Sequence, residues 1–524
     1  MKYKIFLRIG IFFLALCLLL CSALPAFAAV SPSSAVYQTL FNGFYSEKNE
    51  IDISEYRLTP DQLSDLYRQI RLENPELFHV PSSYEYYSNL NSLVTKLKLK
   101  YTNQSNYREM LRFLRTMVAE IVSRVNPNWS NLEKILFVHD DLAARYTYDT
   151  SYSYYDAYSF YYYKTGVCQA YSLAFHAVLE ELGIQAVCMV NDPGNHLWSA
   201  VYLDGAWYQM DVTWDDPTGS PVGQVSHSYF LLSDNAIRQR ESHDYWVCFS
   251  GDITCSSAYD SYWLHDVNSA FAYLDGYWYY LDTTGNLMRT ASLSTPGTKI
   301  FSPPNMRWYA PNSPHSYYTR HFSGLASYNG LLYFNNASTI YSYNPATGEM
   351  KIVHQPTLSE KSIYGLYIYR GELIYQASTE WKNTTDQVFS IQLGTPSPLP
   401  QIPDDPVSSI SPVSSAPVVS SPASVTSTPT SRPVSSRPES KPVSSQAEAT
   451  SSRPTSSVAQ TPSSRPSVSS VAPVPSSLPP ISAAPQPPEN VPDRGGGFQF
   501  AYLFIPLGAI GLALLARAWY RGHY

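Results

Sequence analysis

Three residues in this chain carry groups suited to covalent acyl chemistry. Cys168 lies in TGVCQAYS (165–172); His196 and Asp211 lie in NHLWSAVYLDGAWYQMDVTWDDP (195–217). A thiolate attacks carbonyl carbon, an imidazole takes the thiol proton, and a carboxylate fixes the imidazole's tautomer and stabilises its charged form. No paired-ligand spacing such as CxxC or HxxxH accompanies them, so the trio points to a nucleophile, a base and an orienter, and no metal is expected.

For these groups to meet, a helix start and a hairpin must deliver them. Ala174, Phe175, Val178, Leu179 and Leu182 recur at helical spacing, which predicts a helix over 169–182 stopped by Gly183. Thr165 or Gly166 is the expected N-cap. Cys168 then falls in the first turn, where free N–H groups and the helix dipole favour a thiolate. Residues 197–203 and 206–212 read as strands joined at Asp204-Gly205, a two-residue hairpin turn. That turn sets Leu203 opposite Ala206, Trp198 opposite Asp211 and His196 opposite Thr213. His196 and Asp211 become diagonal neighbours on one face, their Cβ atoms roughly 7–8 Å apart or less.

Three further residues bear on the site. Trp198 shares the Asp211 face and either walls an acyl pocket or packs in the core. Gln169 either helps an oxyanion site or faces solvent; the Cys168 backbone N–H is the simpler oxyanion donor. His139, in the helical stretch FVHDDLAARY, reads as structural.

GVCQAYS and the 195–217 segment resemble the transglutaminase-like superfamily in its bacterial secreted branch. The resemblance covers roughly 130–235, and FVHDDLAARYTYD (137–149) and NPELFHV (74–80) also resemble segments of such proteins. Ala170 stands where Gly is common, and Leu197 where Ala is common. The resemblance implies a papain-like α+β fold, with the Cys helix packed on an antiparallel sheet. It also implies Cys168 as nucleophile, His196 as base and Asp211 as orienter. It does not choose among cross-linking, proteolysis and deamidation, since one triad serves all three. Members that lack the triad serve as non-catalytic binding or adhesion modules, and that is the alternative reading here.

The rest of the chain sets the context. Lys2, Lys4 and Arg8, the apolar run 9–20 and Ala26-Phe27-Ala28 form a secretory signal over 1–28. The charge-free run 498–516 is about 28 Å long as a helix, enough to span a bilayer, and Arg517 and Arg521 follow in a cytoplasmic tail over 517–524. A single-pass protein of the cell membrane with its bulk outside is expected. Residues 397–494, rich in Ser and Pro with SSRP recurring, cannot bury a core; they read as a disordered stalk reaching at most roughly 300 Å.

Residues 29–127 read as mixed α+β, with helices over 60–72 and 107–125 and a strand near 95–101. The transglutaminase-like domain is expected over 128–250. Residues 262–396 read as a propeller-like β-repeat, because LDGYWYY, YNGLLYF and YRGELIY recur around Gly276, Gly330 and Gly371. Its tyrosines line strand faces or bind glycan or peptide.

A net charge of −7 carries no nucleic-acid signal. Of six cysteines, Cys17 and Cys21 leave with the signal, Cys188 reads as a core residue, and Cys248 and Cys255 could close a small loop. No cofactor is expected. The expected partners are protein or peptide substrates at the cell surface, wall peptides among them; no oligomeric state is assigned.

Overall fold

The computed structural model describes residues 29–101, 106–216, 219, 221–310, 316–358, 361–381 and 388–402. The signal, the stalk beyond residue 402, the 498–516 run and the tail lie outside them. Among the described residues, no helix is long and apolar enough to cross a membrane.

The N-terminal layer comprises α1 (Ala35–Tyr45), β1 (Glu50–Asp52), α2 (Pro60–Glu73), β2 (Glu85–Ser88), β3 (Val94–Lys98) and α3 (Tyr107–Arg124). Helix α2 starts where the sequence dictates. Thr59 caps it in a reciprocal box with Gln62, and Pro60 takes the first position, where a missing N–H costs nothing. Helices α1 and α2 bury Phe41, Phe44, Leu66 and Ile70 against Ile51 and Leu97 of the antiparallel sheet β1-β3-β2.

The central part comprises α4 (Asn131–Arg145), β4 (Thr147–Tyr148), α5 (Ala157–Tyr163), β5 (Thr165–Gly166), α6 (Cys168–Glu181), β6 (Ala186–Asn191), β7 (His196–Leu203), β8 (Ala206–Met210), α7 (Val212–Asp215) and α8 (Asp234–Ile237). Helix α6 packs on the antiparallel sheet β6-β7-β8 and against α4 and α5. The expected side-chain cap is absent. The N-cap is Val167, because Thr165 and Gly166 are already paired in parallel with Thr147 and Tyr148. The Gly166 backbone passes so close that a Cβ there would sit 2.6 Å from the Ala170 Cβ.

Eleven strands follow: β9 (Ala272–Leu274), β10 (Tyr277–Leu281), β11 (Leu287–Thr290), β12 (Thr298–Phe301), β13 (Leu325–Tyr328), β14 (Leu331–Asn335), β15 (Ile340–Tyr343), β16 (Met350–His354), β17 (Ser362–Tyr369), β18 (Glu372–Ser378) and β19 (Val388–Gln392). They form three antiparallel sheets, β9–β12, β13–β16 and β17–β19. Gly276, Gly330 and Gly371 each close a two-residue hairpin at positive φ, behind Asp275, Asn329 and Arg370, which also have positive φ.

Strand β13 packs against both β9 and β17. The propeller-like expectation stops there, because no closed ring forms among the described residues. Helices α3 and α4 supply a further wall instead. With β9, β13 and Tyr367 and Ile368 of β17 they line a cavity of about 720 Å³.

Close backbone packing, two side-chain contacts and, third, a buried network fasten these sheets to the central part. A Cβ on Gly223, at φ +81°, would lie 2.1 Å from the Leu366 carbonyl oxygen. The Trp278 indole donates to Glu133 at 2.8 Å, and the Arg145 guanidinium lies 3.8 Å over the Tyr369 ring. The third contact is a buried polar network. His139 lies between Asp140 (2.9 Å) and Asp215 (3.2 Å), and His227 joins Asp140 (2.9 Å) to the Val267 carbonyl (2.9 Å). The Phe271 N–H donates to the other Asp140 oxygen at 2.6 Å. Burial opposes charge on His139, yet the two carboxylates outweigh it and raise its pKa to about 9. The largest apolar core runs unbroken from Leu114 to Leu293.

A chain ending at residue 260 would therefore expose the Trp278 and Phe271 contacts and leave Asp140 without one of its donors. We expect it to lose its cooperative thermal transition, whereas a chain ending at residue 402 keeps it. Circular dichroism melts of the two chains check this.

Candidate active site

Cys168 is the first residue of α6 and is half-buried. His196 is the first residue of β7, held by pairing with Asn191 across the strand. The hairpin register is as the Asp204-Gly205 turn predicts, from Leu203↔Ala206 to Ser199↔Met210. There the ladder ends. The expected strand to 212, with Thr213 opposite His196, does not form. The Asp211 N–H bonds instead to the Tyr229 carbonyl at 3.1 Å, and the chain turns into α7.

The reason is Asp211 itself. Its Oδ1 accepts from the N–H groups of Thr213 (2.9 Å) and Trp214 (3.1 Å), which makes it the N-cap of that helical turn. Its Oδ2 meets His196 Nε2 at 2.5 Å. Capping and orienting are thus done together, one by each oxygen.

The electrostatics agree from both sides. Burial lowers the His196 pKa, but the Asp211 charge and hydrogen bond, aided by Cys168, raise it to about 10. Burial raises the Asp211 pKa, but the His196 charge and hydrogen bond, together with His243, hold it below the carboxylate range. The outcome is an imidazolium–carboxylate pair. The Cys168 side chain is hydrogen-bonded to the same imidazole. With Nε2 committed to Asp211, Nδ1 is the nitrogen left for the thiol.

Two candidates serve in other ways. Trp198 is fully buried, donates to Gln209 Oε1 at 2.6 Å and stacks on His196 at 5.5 Å between centroids. It is a plate beneath the imidazole and not a wall of an open pocket. Gln169 donates to the Tyr155 carbonyl at 3.0 Å and braces the loop before α5.

Residues that the sequence did not single out complete the surroundings. Tyr148 and Tyr155 lie near enough to Cys168 to feel its charge, and half-buried Trp214 meets His196 edge-on at 6.1 Å. His243 reaches Asp211 Oδ2 at 2.9 Å. No periodicity or spacing links His243 to Asp211, so no local signal was available to find it.

Among the described residues, two clusters have metal-ligand chemistry, His139–Asp140–His227 and His196–Asp211–His243, the donor atoms of each within 4.8 Å of one another. In both, the donors are knitted together by hydrogen bonds. The four described cysteines are free, so Cys248 and Cys255 are not joined. Burial raises the thiol pKa of Cys188, Cys248 and Cys255, and Cys188 lies 3.7 Å from His176.

A helix-start thiol thus lies beside an imidazole that a buried aspartate holds at the head of an antiparallel hairpin. Residues 115–212 match the model of the transglutaminase-like superfamily, and all three groups fall inside the match. The chain therefore carries a transglutaminase-like core. No curated protein matches the chain.

Forty chains of solved structure do. A TGase is 15% identical over 25% of this chain and 44% of that chain, at a TM-score of 0.18. A chain named "Putative Cysteine Protease from Cytophaga hutchinsonii" is 13% identical over 25% of this chain and 62% of that one, at 0.17. The computationally designed Ika4 protein is 11% identical over 38% and 86%, at 0.16. Scores this low carry no argument. This chain spans under half of the TGase and under two thirds of the second.

Asp211→Asn tests the pair. The wild-type imidazolium forms below a pH of about 10 and is lost as pH rises through that value. Without the carboxylate, that limit should fall toward the ordinary histidine value of about 6.5. Turnover should fall roughly 10²-fold or more. Asn can still cap α7, so the thermal midpoint should barely move. The pH profile of Cys168 alkylation and a melt, measured on the same variant, check this. An unmoved alkaline limit with a lowered midpoint would reduce Asp211 to a cap.

Proposed function

We infer that this protein carries out thiol-dependent acyl transfer or hydrolysis on protein or peptide amides at the cell surface. The observation that carries the reading is the 2.5 Å bond between His196 and Asp211, made by an imidazole that also meets the Cys168 thiol.

The chemistry follows from those positions. His196 Nδ1 holds the proton that the thiol gives up, so Cys168 attacks as the thiolate of a thiolate–imidazolium pair. The Cys168 sulfur bonds to the carbonyl carbon of a carboxamide or peptide bond, and the carbonyl oxygen becomes an oxyanion. The Cys168 backbone N–H, in the first turn of α6, is the nearest natural donor for it. The intermediate collapses as the C–N bond breaks, and the departing nitrogen takes the proton from His196. A thioester remains. An incoming amine or water then loses a proton to His196 and bonds to the carbonyl carbon as the C–S bond breaks, which restores the thiol. With an amine the product is an isopeptide cross-link; with water it is a cleaved or deamidated chain. Asp211 stabilises the imidazolium at each stage.

The signal, the Ser/Pro-rich stalk and the 498–516 run support a tethered enzyme with its bulk outside the cell. Surface proteins and wall peptides are the substrates such a tether would present. No step needs a cofactor.

Incubating the enzyme with surface and wall proteins and reading products by mass spectrometry decides the reaction, because isopeptide bonds, cleavages and Gln-to-Glu conversions differ in mass. We expect one such product class with wild type and none with Cys168→Ala, whose melt should stay close to wild type. Products retained by Cys168→Ala would refute the enzymatic reading.

A further inference from the structure

Asp211 is served by two histidines. His243 is fully buried, and its Nε2 lies 2.9 Å from the same Oδ2 that meets His196. Its other nitrogen, Nδ1, lies 2.6 Å from the Glu241 carbonyl. A carbonyl oxygen and a carboxylate oxygen only accept, so Nδ1 and Nε2 each carry a proton, the ring is an imidazolium, and it cannot flip without losing both bonds. Aromatic neighbours box the ring: Trp198 at 4.5 Å, Tyr229 at 5.2 Å and Trp214 at 5.6 Å between centroids. The His243 loop is pinned in turn, since the Asn191 amide donates to the Ser242 carbonyl at 3.0 Å.

Asp211 therefore has four partners, two backbone N–H groups on Oδ1 and two imidazoles on Oδ2. Four is what a carboxylate can accept. Three of them are built into the protein interior. The fourth is His196, which must stay free to exchange protons with the thiol. We propose that His243 is a positioning residue. It holds Asp211 Oδ2 in the one orientation that directs a lone pair at His196, and through His196 it aligns the imidazole with Cys168.

This rests on the reading of Cys168, His196 and Asp211 as a catalytic triad. The titratable groups facing His243 are Asp211, His196 and Tyr229. Arg240 lies over the Tyr229 ring at 5.4 Å, and Asp244 meets Asn191 at 3.5 Å.

The test is alkylation of the full chain by iodoacetamide across the pH range, read at the Cys168 peptide by mass spectrometry. The wild-type curve sets the reference midpoint for the variants. His243→Phe keeps a ring in the aromatic box but offers Oδ2 no donor. Its midpoint should rise by about one unit, which is about tenfold slower alkylation below the midpoint. His243→Gln retains an N–H for Oδ2 and should return to within about twofold of wild type.

A midpoint unchanged or lowered in His243→Phe, or an equal loss in both variants, overturns the proposal and leaves the triad standing. Products retained by Cys168→Ala overturn the triad as well. Should His243→Phe fail to fold, proton NMR of wild type decides. Separate low-field Nε2–H resonances for His196 and His243 are expected, and absence of the His243 resonance overturns the proposal.

Discussion

A single buried carboxylate organises this site. Asp211 ends one strand, starts one helical turn and holds one imidazole. A buried carboxylate is costly unless every lone pair is met, and here each oxygen has two donors. The same side chain shapes the backbone and holds the His196 imidazole, so fold and site geometry are coupled at one residue. The strand cannot run on past Met210 without stripping Oδ1 of its two N–H groups.

The three sheets belong to that same economy of buried charge. Four residues beyond Asp211 lies Asp215, bonded to His139, which bonds to Asp140. Asp140 is shared with His227 and with the Phe271 N–H at the entry to the first sheet. Tyr171, in α6 behind Cys168, donates to Asp216 at 2.5 Å. Polar groups this deep persist only when each has a partner, so the network ties the turn carrying Asp211 to the sheets. Physically the sheets act as part of the scaffold of the site and not as a detachable appendage. The close passage of Gly223 against the Leu366 backbone, at 2.1 Å for an added Cβ, says the same for packing.

The aromatic richness finds its use in this packing. Trp129 meets Tyr273 at 5.0 Å and Trp278 at 4.8 Å, where α4 begins and the first sheet starts. Trp198 lies flat under His196. Large rings cover area with few rotatable bonds, so they hold a thin interface rigidly.

Local chemistry alone determined a good deal. Asp204-Gly205 set the hairpin register, Thr59 and Pro60 set the start of α2, and the recurring glycines marked three real hairpin turns. These are legible because a tight turn or a cap is decided by a few adjacent residues. That His196 and Asp211 come together was legible only in part, since the two-residue turn fixes the register as far as Ser199 and Met210 and the strand ends there. Only the tertiary structure decided the rest. It made Val167 the N-cap by pairing Thr165 and Gly166 with β4. It put Trp198 beneath the imidazole, spent Gln169 on Tyr155, and brought His243 across 32 residues to Asp211. These depend on which distant backbone donors and buried oxygens must find partners, and that demand exists only once the chain has closed around them.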